Sequence, residues 1–193
     1  EKIKEYGVKL QLKQTLTNVD GNARTISFEG PGEDGKQRTQ TMHYDMLHVV
    51  PPQSAPDFVK KSPLADPASP LGWVEVDKHN FKHSRYDNVF SCGDVCNAPA
   101  SRTGAAIRKQ APVMVDHILA HMNHTVSTQS YDGYSACPIP TEYGKLMLAE
   151  FDYDNKPKMT FPFDQAKPRW TMWLLKKYVL PWLYWHRILQ GKA

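Results

Sequence analysis

Cysteine is scarce in this sequence, and nothing at its start resembles a signal peptide. The three cysteines are Cys92, Cys96 and Cys137. This low, odd count argues against a secreted scaffold built on disulfides and favours a reducing compartment, or a chain whose redox partner lies elsewhere. Residues 1–5 lack the apolar core of a secretion signal and an initiator Met. We therefore expect the chain to begin inside a longer protein.

Long runs of basic residues and metal-binding motifs are also missing. The net charge is only +4, the Lys and Arg residues are scattered, and no nucleic-acid partner is expected. The eight histidines form no pattern typical of a metal site, so no metal is expected. The glycine-rich G-x-G-x-x-G fingerprint that binds a dinucleotide pyrophosphate is absent as well.

The sequence does contain the composition of a folded chain, with 40 % hydrophobic and 23 % charged residues. Residues 1–50 alternate apolar and polar side chains, which is typical of β-strands. Residues 51–71 hold six prolines and predict an extended connection that is not helical. The expected elements of the first part are strands at 8–12, 25–28 and 44–50, a turn at Asp20 and Gly21, and a loop at 30–35.

From residue 72 onward the pattern becomes mixed α/β. Short strands are predicted at 73–76 and 88–92, and another at 144–151. A helix is predicted to follow the Gly93-Asp94 pair and to run to about His121. Its predicted apolar stripe consists of Ala111, Met114, Val115, Ile118, Leu119 and Met122.

The segment 88–95, N-V-F-S-C-G-D-V, is the first that suggests chemistry. Gly93 would let the backbone approach a ligand closely, and the Asp94 carboxylate can accept hydrogen bonds from hydroxyl groups. The following helix would add partial positive charge. Spacing alone allows a second interpretation, in which Asp94 only caps that helix.

The second segment, Y-D-G-Y-S-A-C-P at 131–138, places Cys137 directly before a proline in a loop rich in turn residues. A single cysteine can be inert and buried or redox-active, and the residues alone leave both open. Cys92 is expected to pack as a small apolar residue in its strand. A redox role for Cys96 stays open.

The third segment is the aromatic tail, residues 161–190. It is about as long as the roughly 20 residues that span a bilayer. It is interrupted by Pro181 and by Lys176, Lys177, His186 and Arg187, so we expect it to lie at the membrane interface instead. A helix pair docked on a soluble core, or a dimer contact, is the alternative. Pro168 is predicted to open the first helix. The tail residues singled out are Phe161, Phe163, Trp170, Trp173, Trp182, Tyr184 and Trp185.

These segments resemble a known family. The Gly-Asp segment resembles the second FAD fingerprint of the flavin disulfide reductase superfamily, and Y-D-x-L at 44–47 resembles a strand that usually ends in A-T-G. Here V-V-P-P-Q follows instead, which looks like the sulfide:quinone oxidoreductase branch. The Cys-Pro segment and the tail, with F-P-F-D-Q and P-W-L-Y-W, are similar to the mitochondrial type of that branch. The resemblance extends from about Tyr6 to Gly191 and implies the C-terminal half of such an enzyme.

The resemblance implies an α/β chain that is part of a two-domain FAD/NAD(P)-binding Rossmann-like fold with a C-terminal amphipathic, membrane-anchoring helical segment. Residues 1–66 would end the second Rossmann-like domain. Residues 67–124 would supply the last strand and helix of the FAD domain, and 125–193 the redox loop and membrane helices.

It also implies the chemistry. Cys137 would be one of two catalytic cysteines, its partner lying outside this chain. Gly93, Asp94, Val95 and Lys176 would contact FAD, whose site would be incomplete here, so the chain alone would be inactive. Sulfide, ubiquinone and a small thiol or sulfite acceptor would be the substrates, at the mitochondrial inner membrane or the bacterial cytoplasmic membrane. The alternatives are an NADH:quinone oxidoreductase of the same superfamily and a non-enzymatic membrane-binding fragment.

Overall fold

The computed structural model describes residues 2–32 and 34–192. The chain divides into two compact units, residues 1–52 and 53–193. The division between Pro52 and Gln53 lies before the boundary at residue 66 that the sequence predicts. Both units contain helices and strands, so the expected α/β class is confirmed in the sense that the chain mixes the two.

The first unit is a three-stranded antiparallel sheet in the order β1-β2-β3. In the turn after β1, Asp20 Oδ1 accepts backbone hydrogen bonds from Asn22 and Ala23, both at 2.9 Å. The predicted turn and the strand at 25–28 are therefore confirmed. Glu33, in the predicted loop, lies outside the described residues. The elements are helix α1 (Lys2–Glu5) and strands β1 (Thr15–Asp20), β2 (Thr25–Pro31) and β3 (Gln37–His43).

Two predicted strands of this unit are wrong. Residues 8–12 and 44–50 lie outside every strand, and the apolar side chains at 8, 10 and 12 are exposed. Alternation only says which face a strand would bury. A strand also needs a neighbour that takes its backbone hydrogen bonds, and no described residue pairs with these segments in a sheet.

The second unit begins with a short helix inside the proline-rich segment. Helix α2 (Asp57–Lys60) follows Pro56, so the prediction of a non-helical segment is wrong for this turn. A proline fits at this N-cap position because it has no N–H, and a backbone N–H there would lack a partner within the helix. Val59 packs with Ala55, Trp73 and Val74 in one of two core clusters.

The strands predicted at 73–76 and 88–92 form only isolated backbone bridges, so both predictions are wrong as regular strands. Val74 bridges to Ala65 and Cys96, and Phe90 bridges to Lys82. Each segment meets a partner at one or two residues, too few for a ladder. The second core cluster lies beside them and comprises Phe81, Cys96, Ala98, Val113 and Tyr131.

The long helix α3 (Gly104–Met122) begins later than predicted. A 3-10 turn, Gly93–Val95, and an irregular segment separate it from the preceding bridge. Thr103 is its N-cap and accepts a hydrogen bond from Ala106 N at 3.2 Å, so capping by Asp94 is ruled out. The buried residues are Ala106, Gln110 and Val113, whereas half of the predicted stripe (Val115, Leu119 and Met122) is exposed.

Strands β4 (Ser135–Glu142) and β5 (Lys145–Phe151) form an antiparallel hairpin. The prediction for β5 is confirmed, but Cys137 lies in a strand and not in a loop. The expected loop was based on Pro138 and the turn residues before it. Pro138 and Pro140 are compatible with β4 because the sheet has two strands, so one edge of β4 needs no hydrogen-bond donors.

The tail is one helical segment with a change of pitch. Helix α4 (Trp170–Leu174) begins two residues after Pro168, passes into a π-helical turn (Leu175–Val179) and continues as α5 (Leu180–His186). Pro181 was expected to break the helix. The wider turn before it accommodates the missing N–H, as π-turns commonly do. Over the described residues, no helix is both long and apolar enough to cross a bilayer.

Candidate functional site

An apolar cavity of about 560 Å³ lies in the second unit. The first turns of α3, the β4–β5 hairpin, Phe161 and the tail surround it. The hairpin contributes Ala136, Pro138 and Leu148, and the tail contributes several leucines. A lining of this kind suits a hydrophobic ring or chain better than a charged ligand.

Cys137 borders this cavity on β4. It pairs with Ala149, between the pairs Ala136–Glu150 and Pro138–Leu148, whose residues also line the cavity. Successive side chains on a strand point to opposite faces. The side chain of Cys137 therefore leaves β4 on the face opposite to Ala136 and Pro138, and it is exposed.

Glu150 lies on the cavity face of β5 and is 3 % exposed. Its carboxylate accepts hydrogen bonds from Tyr134 Oη at 2.5 Å, from Thr160 N at 2.7 Å and from Thr160 Oγ1 at 2.6 Å. Gln165 Nε2 donates a further bond. Burial raises the pKa of Glu150, but hydrogen bonds from Gln165, Thr160 and Tyr134 outweigh it and hold the pKa below its ordinary value. The cavity therefore contains one ionised and fully hydrogen-bonded carboxylate.

Two of the four predicted FAD residues, Gly93 and Asp94, line a separate, tight recess of about 10 Å³ beside the start of α3. Gly93 has φ +73°, and a Cβ there would lie 3.1 Å from Ile107 Cδ1, so this turn favours glycine. Gln110 Oε1 accepts a hydrogen bond from Gly93 N at 2.9 Å. Val95 O accepts one from Val74 N at 2.9 Å, so the turn is anchored on both sides.

Asp94 is exposed at this recess, and within the described part of the chain no group donates a hydrogen bond to its carboxylate. A free carboxylate beside a helix start fits the hydroxyl groups of a cofactor chain. The recess is too small to enclose a flavin. These residues therefore fit one edge of FAD, and the rest of its site would have to come from other residues.

The other two cysteines sit in environments that disfavour the thiolate. Burial, with a smaller effect of Cys96, raises the pKa of Cys92 to about 11. Burial also raises the pKa of Cys96, whose Sγ lies 3.2 Å from Gly93 O. Both thiols stay protonated at neutral pH, which agrees with the expectation that Cys92 packs as a small apolar residue.

Two of the seven aromatic tail residues reach the cavity. Phe161 and Tyr184 line it. Phe163 stacks on Phe161 with ring centroids 5.2 Å apart and carries Arg169 over its ring, 4.8 Å from the centroid. Trp173 packs against Tyr143. The side chains of Trp170, Trp182 and Trp185 are exposed instead.

Lys176 is exposed on the π-helical turn and does not line the cavity, although its neighbour Leu175 does. The structure thus brings Cys137, Phe161 and Tyr184 to one cavity and leaves Lys176 and the Gly93–Val95 turn away from its lining. Among the described residues no group of His, Cys, Asp and Glu could hold a metal ion.

Sequence reasoning missed Glu150, Tyr134, Thr160 and Gln165. One signal was available: Leu146, Leu148 and Glu150 share one face of a strand, so a carboxylate stands where the pattern requires an apolar residue. Its three partners are recognisable only once the hairpin and the following segment are folded.

No protein-family model matches the chain. The chain is 44 % identical to the mitochondrial sulfide:quinone oxidoreductase of Dictyostelium discoideum over 189 residues, which cover 98 % of this chain and 40 % of that protein. The mouse protein of the same name is 43 % identical over 191 residues, covering 99 % of this chain and 41 % of the relative. The Schizosaccharomyces pombe protein is 40 % identical over 184 residues, covering 93 % and 39 %.

A solved structure shares the fold. A chain in the cryo-EM composite tetramer model of the Tetrahymena thermophila mitochondrial F1Fo ATP synthase superposes with a TM-score of 0.73 at 19 % identity. The match covers 93 % of this chain and 43 % of that one. At this identity the likeness concerns the fold alone. The sequence relationship is more specific: the chain is similar over nearly its whole length to mitochondrial sulfide:quinone oxidoreductases and spans about two fifths of the length of the curated relatives it matches.

Proposed function

We propose that this chain is the C-terminal portion of a flavoprotein that oxidises sulfide to sulfane sulfur and reduces ubiquinone at the mitochondrial inner membrane. The observation that carries the proposal is the position of β4. Its exposed face carries the Cys137 thiol, and its other face lines an apolar cavity. A thiol for a small hydrophilic substrate and a pocket for a hydrophobic one thus lie on opposite sides of one strand.

The sulfide step uses Cys137 and a second cysteine outside this chain, joined in a disulfide. Hydrosulfide attacks this bridge and breaks its S–S bond. A new S–S bond forms between the incoming sulfur and one cysteine, giving a persulfide, and the other cysteine leaves as a thiolate. The outer sulfur of the persulfide then passes to a small thiol or sulfite, which leaves both cysteines as thiolates. Re-formation of their S–S bond releases the two electrons that sulfide has lost, and the quinone takes up two electrons and two protons.

FAD, when bound, supplies the two-electron acceptor that links the thiolate to the quinone. The residues of this chain that would hold one edge of it are Gly93, through close backbone approach, Asp94, through its free carboxylate, and Val95. Lys176 is proposed as a further contact on the strength of the family resemblance. The tight recess at these residues supports a parent protein whose other residues complete the site, and a chain that is inactive alone.

The quinone would enter through the tail. Phe161 and Tyr184 offer aromatic surface inside the cavity, and Leu175, Leu180 and Leu183 offer aliphatic surface beside it. The exposed aromatic residues of the tail support its proposed position in the membrane interface. In the parent protein, residues 1–66 and 67–124 would belong to the two Rossmann-like domains, and 125–193 to the redox strand and the membrane helices.

The test is a steady-state assay of the full-length protein that contains this chain, with sulfide and a soluble ubiquinone analogue. Leu183→Trp fills the cavity and is expected to raise the quinone KM by about tenfold, since overpacking costs roughly 1–3 kcal/mol. Leu189→Trp changes an exposed residue outside the lining and serves as the matched control. Quinone reduction driven by NADH and not by sulfide would overturn the proposal in favour of a nicotinamide-dependent enzyme.

A further inference from the structure

Glu150 connects two segments that approach the cavity from different directions. Tyr134 lies three residues before Cys137, and its hydroxyl donates a hydrogen bond to Glu150 Oε1 at 2.5 Å. This bond ties the carboxylate to the start of β4. Thr160 adds its own hydroxyl to the same oxygen at 2.6 Å.

The second carboxylate oxygen holds the segment that carries Phe161. Thr160 N donates to Glu150 Oε2 at 2.7 Å, and Gln165 Nε2 donates to the same atom. Gln165 is 1 % exposed, and its own Oε1 accepts a hydrogen bond from Phe161 N at 2.6 Å. The chain of contacts therefore runs from Glu150 through Gln165 to the backbone of Phe161.

We propose that Glu150 is a positioning residue that fixes the Cys137 strand and the Phe161 segment relative to each other through the hydrogen bonds its carboxylate accepts from both. The proposal rests on the function proposed above, because it assigns the contact with the Cys137 strand to the sulfide half-reaction and the contact with the Phe161 segment to the quinone half-reaction. Glu150 itself touches neither substrate in this scheme. It acts by holding the two segments against the same cavity wall.

The chemistry of the partners favours a carboxylate. All four groups around Glu150 donate to it, and a carboxylate accepts on both oxygens. An amide with its NH₂ group at the Oε2 position would face the Thr160 N–H and the Gln165 NH₂. Turned the other way, its NH₂ group would force the Tyr134 and Thr160 hydroxyls to accept, so both would have to reorient. The lowered pKa of Glu150 agrees with a permanently ionised acceptor.

The experiment separates the two half-reactions in the full-length holoenzyme. Anaerobic stopped-flow mixing with sulfide measures flavin reduction, and mixing of the reduced enzyme with a ubiquinone analogue measures flavin reoxidation. Tyr134→Phe is expected to slow mainly flavin reduction by sulfide. Gln165→Met is expected to slow mainly flavin reoxidation by the quinone analogue. Glu150→Gln is expected to slow both, each by about 10- to 100-fold, as misplacement by about 1 Å does.

Leu146→Ala is the control for simple destabilisation. Leu146 is fully buried in the same strand but is not among the hydrogen-bond partners of the carboxylate, so this variant should lower the unfolding midpoint without changing the ratio of the two rates. Equal slowing of both half-reactions by Tyr134→Phe and Gln165→Met, or wild-type rates in Glu150→Gln, would overturn the inference. A wild-type flavin that sulfide does not reduce would instead overturn the proposed function.

Discussion

At the residue scale, Glu150 and Cys137 occupy opposite environments on one hairpin. The carboxylate is buried and surrounded by donors, whereas the thiol is exposed beside the apolar cavity. Removing a buried acceptor leaves its donors without partners, which costs more than the bonds themselves contribute. Cys137 has no comparable structural role, so its substitution should affect chemistry more than stability.

The pH dependence of stability tests the environment of Glu150. Its pKa in the folded protein lies below the unfolded value of 4.5, so its contribution to stability is complete above that pH and is lost as the pH falls through the folded pKa. Glu150→Gln should therefore be less stable than wild type near neutral pH. The difference in unfolding midpoint should shrink below about pH 4.5. A difference that stays constant or widens on acidification would show that the carboxylate is not ionised in the folded state.

At the scale of elements, the sequence predicted structure that depends on neighbouring residues better than structure that depends on distant segments. The Asp20-Gly21 turn, β2 and β5 follow directly from turn chemistry and alternation. The strands at 8–12 and 44–50 were wrong because pairing needs a second segment, which alternation does not reveal. Cys137 was singled out by its motif and expected in a loop, because Pro138 and the turn residues before it are typical of loops. The Glu150 network could not be predicted, because Thr160 and Gln165 meet the hairpin only after folding.

The start of α3 offers a test at this scale. Thr103 caps the helix through Ala106 N, so Thr103→Ala should lower the free energy of unfolding by about 1 kcal/mol. Thr103→Ser keeps an acceptor oxygen and should retain most of the stability. Denaturant titration of both variants gives the two values. An equal loss of unfolding free energy in Thr103→Ala and Thr103→Ser would mean that the threonine methyl group, and not the capping hydroxyl, stabilises this end of the helix.

At the scale of the whole molecule, the exposed tryptophan side chains of the described residues all lie in the tail. Trp170, Trp182 and Trp185 are 60 %, 54 % and 63 % exposed, and Tyr178 and Leu189 lie near them. Trp and Tyr with flanking Lys and Arg are typical of segments that lie in the membrane interface. The helical backbone, continuous across Pro181, keeps these side chains on one element.

Vesicle binding tests this position. Trp182→Ala and Trp185→Ala should each weaken partitioning of the full-length protein to phosphatidylcholine–cardiolipin vesicles by about tenfold, or roughly 1.4 kcal/mol of lost apolar transfer. Phe58→Ala removes an exposed aromatic residue from α2 and should leave partitioning unchanged. An equal effect of all three variants would contradict a specific role for the tail.

The central claim is that sulfide is oxidised through Cys137. The most direct measurement is anaerobic bleaching of the flavin by sulfide in the full-length protein, comparing wild type with Cys137→Ser. Cys92→Ser and Cys96→Ser are matched controls, because burial holds the pKa of both thiols above its ordinary value. The account predicts that sulfide bleaches wild type and both controls but not Cys137→Ser. Equal bleaching in Cys137→Ser would contradict it and make Cys137 a structural residue.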